Sequence, residues 1–303
     1  MRSVKQASDD VHDFWARLSL LLGPDTLRKV RLSAADVNKL DSKWKSRFER
    51  EMERMTQSIL ENAAETGRLK FSDVDFQDLV MRHSLDVMQI ALDHSVDYQP
   101  RVPGPSQLSS GSPPRAGVPK NFAELRQMWD YFRKKNYIPP RQRALAKRIH
   151  DEYLRRVQEY WVRYGEQFRK GTTGERKQAV SEIMKGADVA YTRAKMIVET
   201  ETTYYYNKTR VNVYDQSDDV THYLFMAIRD HRTTDWCKTR HGLVYSKTDP
   251  LFQREQPPCH WNCRSEVLPL TSQNPRHRAL IEDRSRWRRN NSPAPLPEEW
   301  TGR

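Results

Sequence analysis

The chain has 303 residues, with 52 Lys and Arg against 40 Asp and Glu, a formal charge of +12 and 37% apolar side chains. Even with the glycines added the apolar share is roughly 41%, below the ~45–50% of an ordinary globular domain, so the chain can bury a thin core and has length for about two domains. No apolar run approaches the ~20 residues of a membrane span, and the N-terminal MRSVKQASDDVHDFW lacks the apolar core of a secretory signal, so a protein that stays in the cytoplasm after synthesis is expected.

Residues 1–99 read as an N-terminal helical region. Ser33, with Asp36 three residues on, resembles a capped helix start, and that helix runs toward Glu65 and ends near Gly67. A second helix is expected from about Asp75 to Asp97, where Phe76, Leu79, Val80, Val87, Ile90 and Ala91 recur at helical spacing. Residues 100–119 hold six prolines among Ser and Gly and read as a linker.

Residues 120–216 form a basic long-helix region. Asn121 and Glu124 have capping-box spacing, and Pro139 and Pro140 fit the first turn of a helix reaching about Lys170. At ~30 residues such a helix spans ~45 Å. Leu145, Ile149, Tyr153, Val157, Tyr160, Tyr164 and Phe168 make one stripe, read as core rather than as a base-stacking surface. Residues 120–170 carry 14 basic side chains against 6 acidic ones, and Arg141, Arg143, Lys147, Arg148, Arg155 and Arg156 are left on the other faces. They suit either a solvated helix face or contact with an acidic protein surface or DNA without sequence preference. Another helix is expected from about Asp188 to Val211.

Residues 217–270 read as a small α/β unit. HYLFMAIRD is a strand, TTDWCKTRH a short helix stopped by Gly242, LVYS a second strand and RSEVLPL a third. Residues 271–303, with a basic cluster at Arg284, Arg286, Arg288 and Arg289 and three prolines in SPAPLPEEW, read as an extended tail. The fold class expected is mainly α, an elongated helical arm followed by a small α/β C-terminal unit with a Cys/His metal knuckle.

Cys237, Cys259 and Cys263 are an odd set in a chain without an export signal, which favours thiol or metal chemistry over disulfides. Cys237 and His241 are four apart on the short helix, and His260 and Cys263 are a turn apart, so these four could fill a tetrahedral zinc site. Cys259 adjoins His260, and adjacent side chains of an extended segment point apart, which argues against both binding one ion. A segment of about 55 residues gains from such a staple, and the zinc would be structural because the candidates fill all four positions. The alternative left open is that both histidines make ordinary hydrogen bonds and the cysteines are small buried hydrophobes. The Glu199/Glu201 pair lies within a helix and lacks an accompanying strand, so no catalytic residue is assigned.

RAKMIVETETTYYYNKTR, the strand ending in RDHRTTDWC, then HGLVY and PPCHWNCRSEVLPL together resemble the phage head morphogenesis family, minor head proteins similar to phage Mu protein F. The resemblance covers about residues 190–270 and rests on Thr200, Glu201, Asn207, Asp230, Arg232, Thr233, Cys237, Gly242, Pro257, Pro258, His260, Asn262, Cys263 and Arg264. The sequence departs from the family at Glu199, often Arg there, and at Ser265, often a second Cys. The resemblance implies assembly work rather than turnover: association with the portal protein at one vertex, contact with scaffold or major capsid protein and with packaged double-stranded DNA, and a place inside the virion after assembly in the host cytoplasm. A competing reading is a zinc-dependent nuclease or toxin domain. Glu201 shares a helical face with Ala194 and Ile197, hence an inward position, with Arg232 as the expected partner.

Overall fold

The structure is a computed structural model describing residues 24–71, 76–95, 118–135, 137–228 and 230–287, the side chains of 24–34 and 135 excepted. Most of the expected linker, and Arg288 and Arg289 of the basic cluster, lie outside the described residues. The protein is mainly helical with a small C-terminal sheet. Its helices are α1 (Pro24–Thr66), α2 (Gln77–Asp93), α3 (Phe122–Lys135), α4 (Pro140–Lys170), α5 (Thr173–Tyr214), α6 (Asp235–Arg240), α7 (Pro250–Glu255) and α8 (Pro275–Glu282); the strands are β1 (Val220–Met226), β2 (Val244–Ser246) and β3 (Glu266–Thr271). Among the described residues no helix is long and apolar enough to cross a membrane.

Two helices extend beyond their expected starts. Ser33 and Asp36 lie inside α1, which begins at Pro24. The expected Asp188 start of α5 also lies in its interior, because Thr172 and Glu175 form a reciprocal cap: the Thr172 N–H donates to Glu175 Oε2 at 2.7 Å and the Glu175 N–H to Thr172 Oγ1 at 3.4 Å. The reading at α3 holds, since Asn121 Oδ1 accepts from the Glu124 N–H at 2.9 Å.

The chain divides into two compact units. One, here the helical unit, comprises residues 39–86 and 130–199. In it Trp44, Phe48, Met52, Met55 and Ile59 on α1 bury at spacings of 3 and 4, as do Leu145, Ile149, Tyr153 and Val157 on α4. Each such side chain contributes about 1.5–3 kcal/mol of apolar burial. Tyr160, Tyr164 and Phe168, expected on the same stripe, are only half-buried. Tyr153 stands edge-on to Phe76, with its hydroxyl 2.8 Å from Thr56 Oγ1. Gly186 lets α5 close on α4, since a Cβ there would meet the Tyr160 ring at 3.0 Å and the Arg156 carbonyl at 3.1 Å.

The other, the sheet unit, comprises residues 1–38, 87–129 and 200–303. Its sheet is antiparallel in the order β2-β1-β3, with Tyr223 opposite Tyr245 on one side and Pro269 on the other. Period-two alternation along β1 sends Tyr223 and Phe225 to one face, with Val211, Tyr214, Cys237, Cys259 and Cys263. Leu224 and Met226 go to the opposite face, where Leu280, Ile281 and Trp287 pack. That second apolar face explains a difference from the sequence reading: residues 275–282, expected to be extended, form α8 and cover it. Its Asn274 cap accepts from the Arg276 N–H, with Pro275 in the first turn.

Candidate metal centre

The site is assembled from α5, α6 and the loop before β3. Thr234 caps α6 by accepting the Cys237 N–H at 3.4 Å, which places Cys237 in the first turn, facing the core. The 259–263 loop follows a cis Pro257–Pro258 bond and contains Asn262 at φ 56°, a left-handed conformation that Asn tolerates better than most residues. Thr200 on α5 holds this loop, its Oγ1 accepting the Asn262 N–H at 2.9 Å. Thr203 donates its hydroxyl to the Cys263 carbonyl.

Cys237, His260 and Cys263 offer three ligand atoms that lie within 4.8 Å of one another. The Cys237 sulfur is 3.1 Å from His260 Nε2 and 3.9 Å from the Cys263 sulfur. His260 Nδ1 donates to the Trp261 carbonyl at 2.7 Å, which orients the ring with Nε2 toward the Cys237 sulfur. Burial opposes a charged His260, but Cys237 and Cys263 raise its pKa to about 10. Burial likewise opposes ionisation of Cys263, and is overcome by Cys237, Cys259 and His260, which bring its thiol well below the ordinary range. Cys263 therefore favours thiolate, the form that binds metal. Two sulfurs at ~2.3 Å from one tetrahedral ion are about 3.8 Å apart, and the observed 3.9 Å fits. The group could hold a metal ion.

One sequence expectation changes, and Cys259 stays outside the group. His241 stands outside the group, its Nδ1 accepting the Ala227 N–H at 3.2 Å. Its N–H still closes the helical turn onto the Cys237 carbonyl at 3.1 Å, so it is the side chain, engaged by the Ala227 N–H, that is turned from the cysteines. Cys259 is fully buried beside the other two cysteines, where burial first and then both neighbouring sulfurs push its thiol well above the ordinary range. It donates its S–H to the Glu255 carbonyl at 3.4 Å.

The remaining motif residues tie the unit together. Asn207 donates to the Ser265 carbonyl at 3.1 Å and accepts the Val267 N–H at 3.0 Å. Asp230 accepts from Arg264 at 2.7 Å, from Thr233 Oγ1 at 3.0 Å and from the Arg232 N–H at 2.9 Å. Burial works against its ionisation, but Arg264 and the shorter-range donors hold its pKa at about 2. Arg232, the partner expected for the buried Glu201, is instead exposed. Gly242 takes φ 80° after α6 and donates its N–H to the Phe225 carbonyl at 2.9 Å. Pro257 and Pro258 are buried. Sequence reading missed Thr203, and the buried pair Arg240–Glu255 at 3.2 Å, whose Glu255 also accepts from Tyr245 at 2.8 Å. No spacing signal marked that pair, because its partners belong to two separate short helices.

On α4, Lys147 pairs with Asp151 at 2.5 Å, while Arg155 and Arg156 both pair with Glu152 and Glu159. Arg143 donates to the Ile138 carbonyl at 3.2 Å, Arg148 is exposed and Arg141 is half-buried. Lys147, Arg155 and Arg156 are thus engaged with acids of their own helix.

The fold and site define a mainly helical protein whose small sheet is closed onto a helix end by a Cys–His–Cys cluster. The family model described as Phage Mu protein F like protein matches residues 143–268, in agreement with the motifs. The match extends upstream of the motifs to take in nearly all of α4 and the whole of α5. Neither a curated protein nor a solved structure gives a significant match.

Proposed function

We propose that the protein is a minor head protein of a tailed phage, associated with the portal vertex inside the capsid, where it assists head assembly and the packaging or ejection of DNA. The observation that carries this reading is the family match over residues 143–268, which joins the long helices to the metal-centre unit. The net positive charge of residues 120–170 supports contact with packaged DNA or an acidic portal surface. Its role is structural. Asp230, the nearest motif carboxylate to a base, is committed to Arg264 and Thr233. Zinc suits the two thiolates and one imidazole, and would staple the loop before β3 to α6.

The test is co-expression of the full chain with the portal, scaffold and major capsid proteins of its own genome. Incorporation into procapsids in few copies, with chemical crosslinks to the portal, is expected. Assembly of normal heads that exclude the chain would overturn the reading. Incubating the purified chain with DNA and divalent metals checks the nuclease alternative, and no cleavage is expected.

A further inference from the structure

We infer that Cys237, His260 and Cys263 are the complete set of protein ligands for one zinc ion, and that its fourth ligand is a water held by the side chain of Asn262. This rests on the zinc reading above and specifies its coordination. With His241 turned away to Ala227, the three remaining donors leave one tetrahedral position unfilled by the ligand set that the sequence suggested.

A small polar cavity of about 10 Å³ adjoins two of these ligands, lined by Cys237, His260, Asn262, Thr233 and Arg264 among others. Its volume is on the scale of a single water position. Asn262 Oδ1 is buried and has no hydrogen-bond partner within the protein. An unsatisfied buried acceptor costs about 1–3 kcal/mol, and a metal-bound water, whose O–H groups are polarised toward donation, is the partner it lacks. The left-handed backbone of Asn262, secured by its N–H to Thr200, brings this residue into the lining of the cavity that His260 and Cys237 also line.

Cys259 is the competing fourth ligand, and two observations set it aside. Its sulfur is not among the ligand atoms that lie within 4.8 Å of one another, and its S–H already has an acceptor in the Glu255 carbonyl. Ligation by Cys259 would also strand the buried cavity acceptor.

The test uses the full chain with cobalt(II) in place of zinc. Wild-type protein should bind one equivalent, and thiolate-to-cobalt charge-transfer absorption should fall in Cys237→Ser and Cys263→Ser but not in Cys259→Ser. Added cyanide should displace the water and shift the visible bands of the wild type. Asn262→Gly removes the acceptor while keeping the backbone conformation, and should weaken metal affinity by about 10- to 100-fold, with Asn262→Asp restoring most of it. Loss of charge-transfer absorption in Cys259→Ser, or a wild-type spectrum indifferent to cyanide, would overturn the open position while leaving the zinc reading intact. Protein that binds no stoichiometric zinc or cobalt would overturn both.

Discussion

The side chain of Asn207 substitutes for a neighbouring strand at Val267, accepting its N–H at 3.0 Å, and donates to the carbonyl of Ser265 two residues before it. A helix has no free backbone groups with which to pair the entry of β3, and a carboxamide supplies one acceptor and one donor in their place. This joins α5 to the strand that follows the cysteine loop. Asn207→Leu should therefore cost about 2–6 kcal/mol, the sum of two buried backbone groups left unpaired. Urea unfolding measures it, and a loss below about 0.5 kcal/mol would show that the contact is incidental.

A second prediction concerns Glu255, which accepts from both Arg240 and Tyr245 in a fully buried setting. Removing the carboxylate leaves a buried guanidinium without its counter-charge, a loss of about 3–5 kcal/mol. Glu255→Ala should be far more damaging than the double replacement Arg240→Met with Glu255→Leu, which removes both charges. Equal destabilisation by the two variants would refute this account.

Much of this architecture was legible in the sequence. Apolar spacing of 3 and 4 marked α2 and α4, where one helix face is buried, and the apolar run YLFM marked β1, whose two faces are both buried. The start of α5 was hidden because Gly174 and Gly186 lower helix propensity by about 1 kcal/mol each, and the second of them is present for close packing against Tyr160. The cysteines and His260 were legible as a cluster, whereas His241 keeps the helical spacing from Cys237 and gives its ring nitrogen to the Ala227 N–H after β1, a tertiary contact that spacing does not encode. Helix α8 was not legible because its short PRHRALIE sequence is held by packing of Leu280 and Ile281 on the sheet, a tertiary contact that local pattern does not show.

The helical unit has its own pH dependence. His83 is fully buried, 5.7 Å from the Trp44 ring, and burial lowers its pKa to about 3. The unfolded chain takes up a proton near the ordinary value of 6.5 while the folded one does not. Stability is therefore complete above pH 6.5 and falls as pH drops from there toward 3, by up to about 1.4 kcal/mol per pH unit. Replacing His83 with Met should flatten chemical denaturation midpoints measured between pH 6.5 and 4.5. An unchanged pH profile in that variant would assign the acid sensitivity elsewhere.

Asp230 gives the same sign in a lower window. Its pKa, held at about 2 by Arg264, lies below that of the unfolded carboxyl at 3.8, so its contribution is present above pH 4 and is lost as pH falls toward 2. Because the group is partly exposed, solvent screening limits the effect at neutral pH to about 1 kcal/mol. Asp230→Asn should lower thermal stability at pH 7 and converge with the wild type near pH 2. A difference that persisted at pH 2 would mean that the amide disturbs the turn itself.

The last prediction concerns the basic face of α4. Lys147, Arg155 and Arg156 are paired along the helix with Asp151, Glu152 and Glu159, so their charge is partly spent before any polyanion arrives. Hydrogen bonds from Lys147 lower the pKa of Asp151, which keeps that pairing charged at neutral pH. Exposed pairs of this kind are worth only ~0.2–1 kcal/mol each, less than a phosphate contact returns through counterion release at low salt. DNA should therefore displace the acids, with weak binding that has no sequence preference and declines steeply with salt, at a log-log slope of about −0.9 per phosphate engaged. Neutralising the competitors by Asp151→Asn, Glu152→Gln and Glu159→Gln should tighten binding of the full chain and steepen the slope. Reversing Arg141, Arg143 and Arg148 to Glu should weaken it. Salt titrations on two unrelated duplexes read both effects. Identical, salt-insensitive binding by all three proteins would show that the ion pairs satisfy this helix by themselves and that its charge is a solvated face.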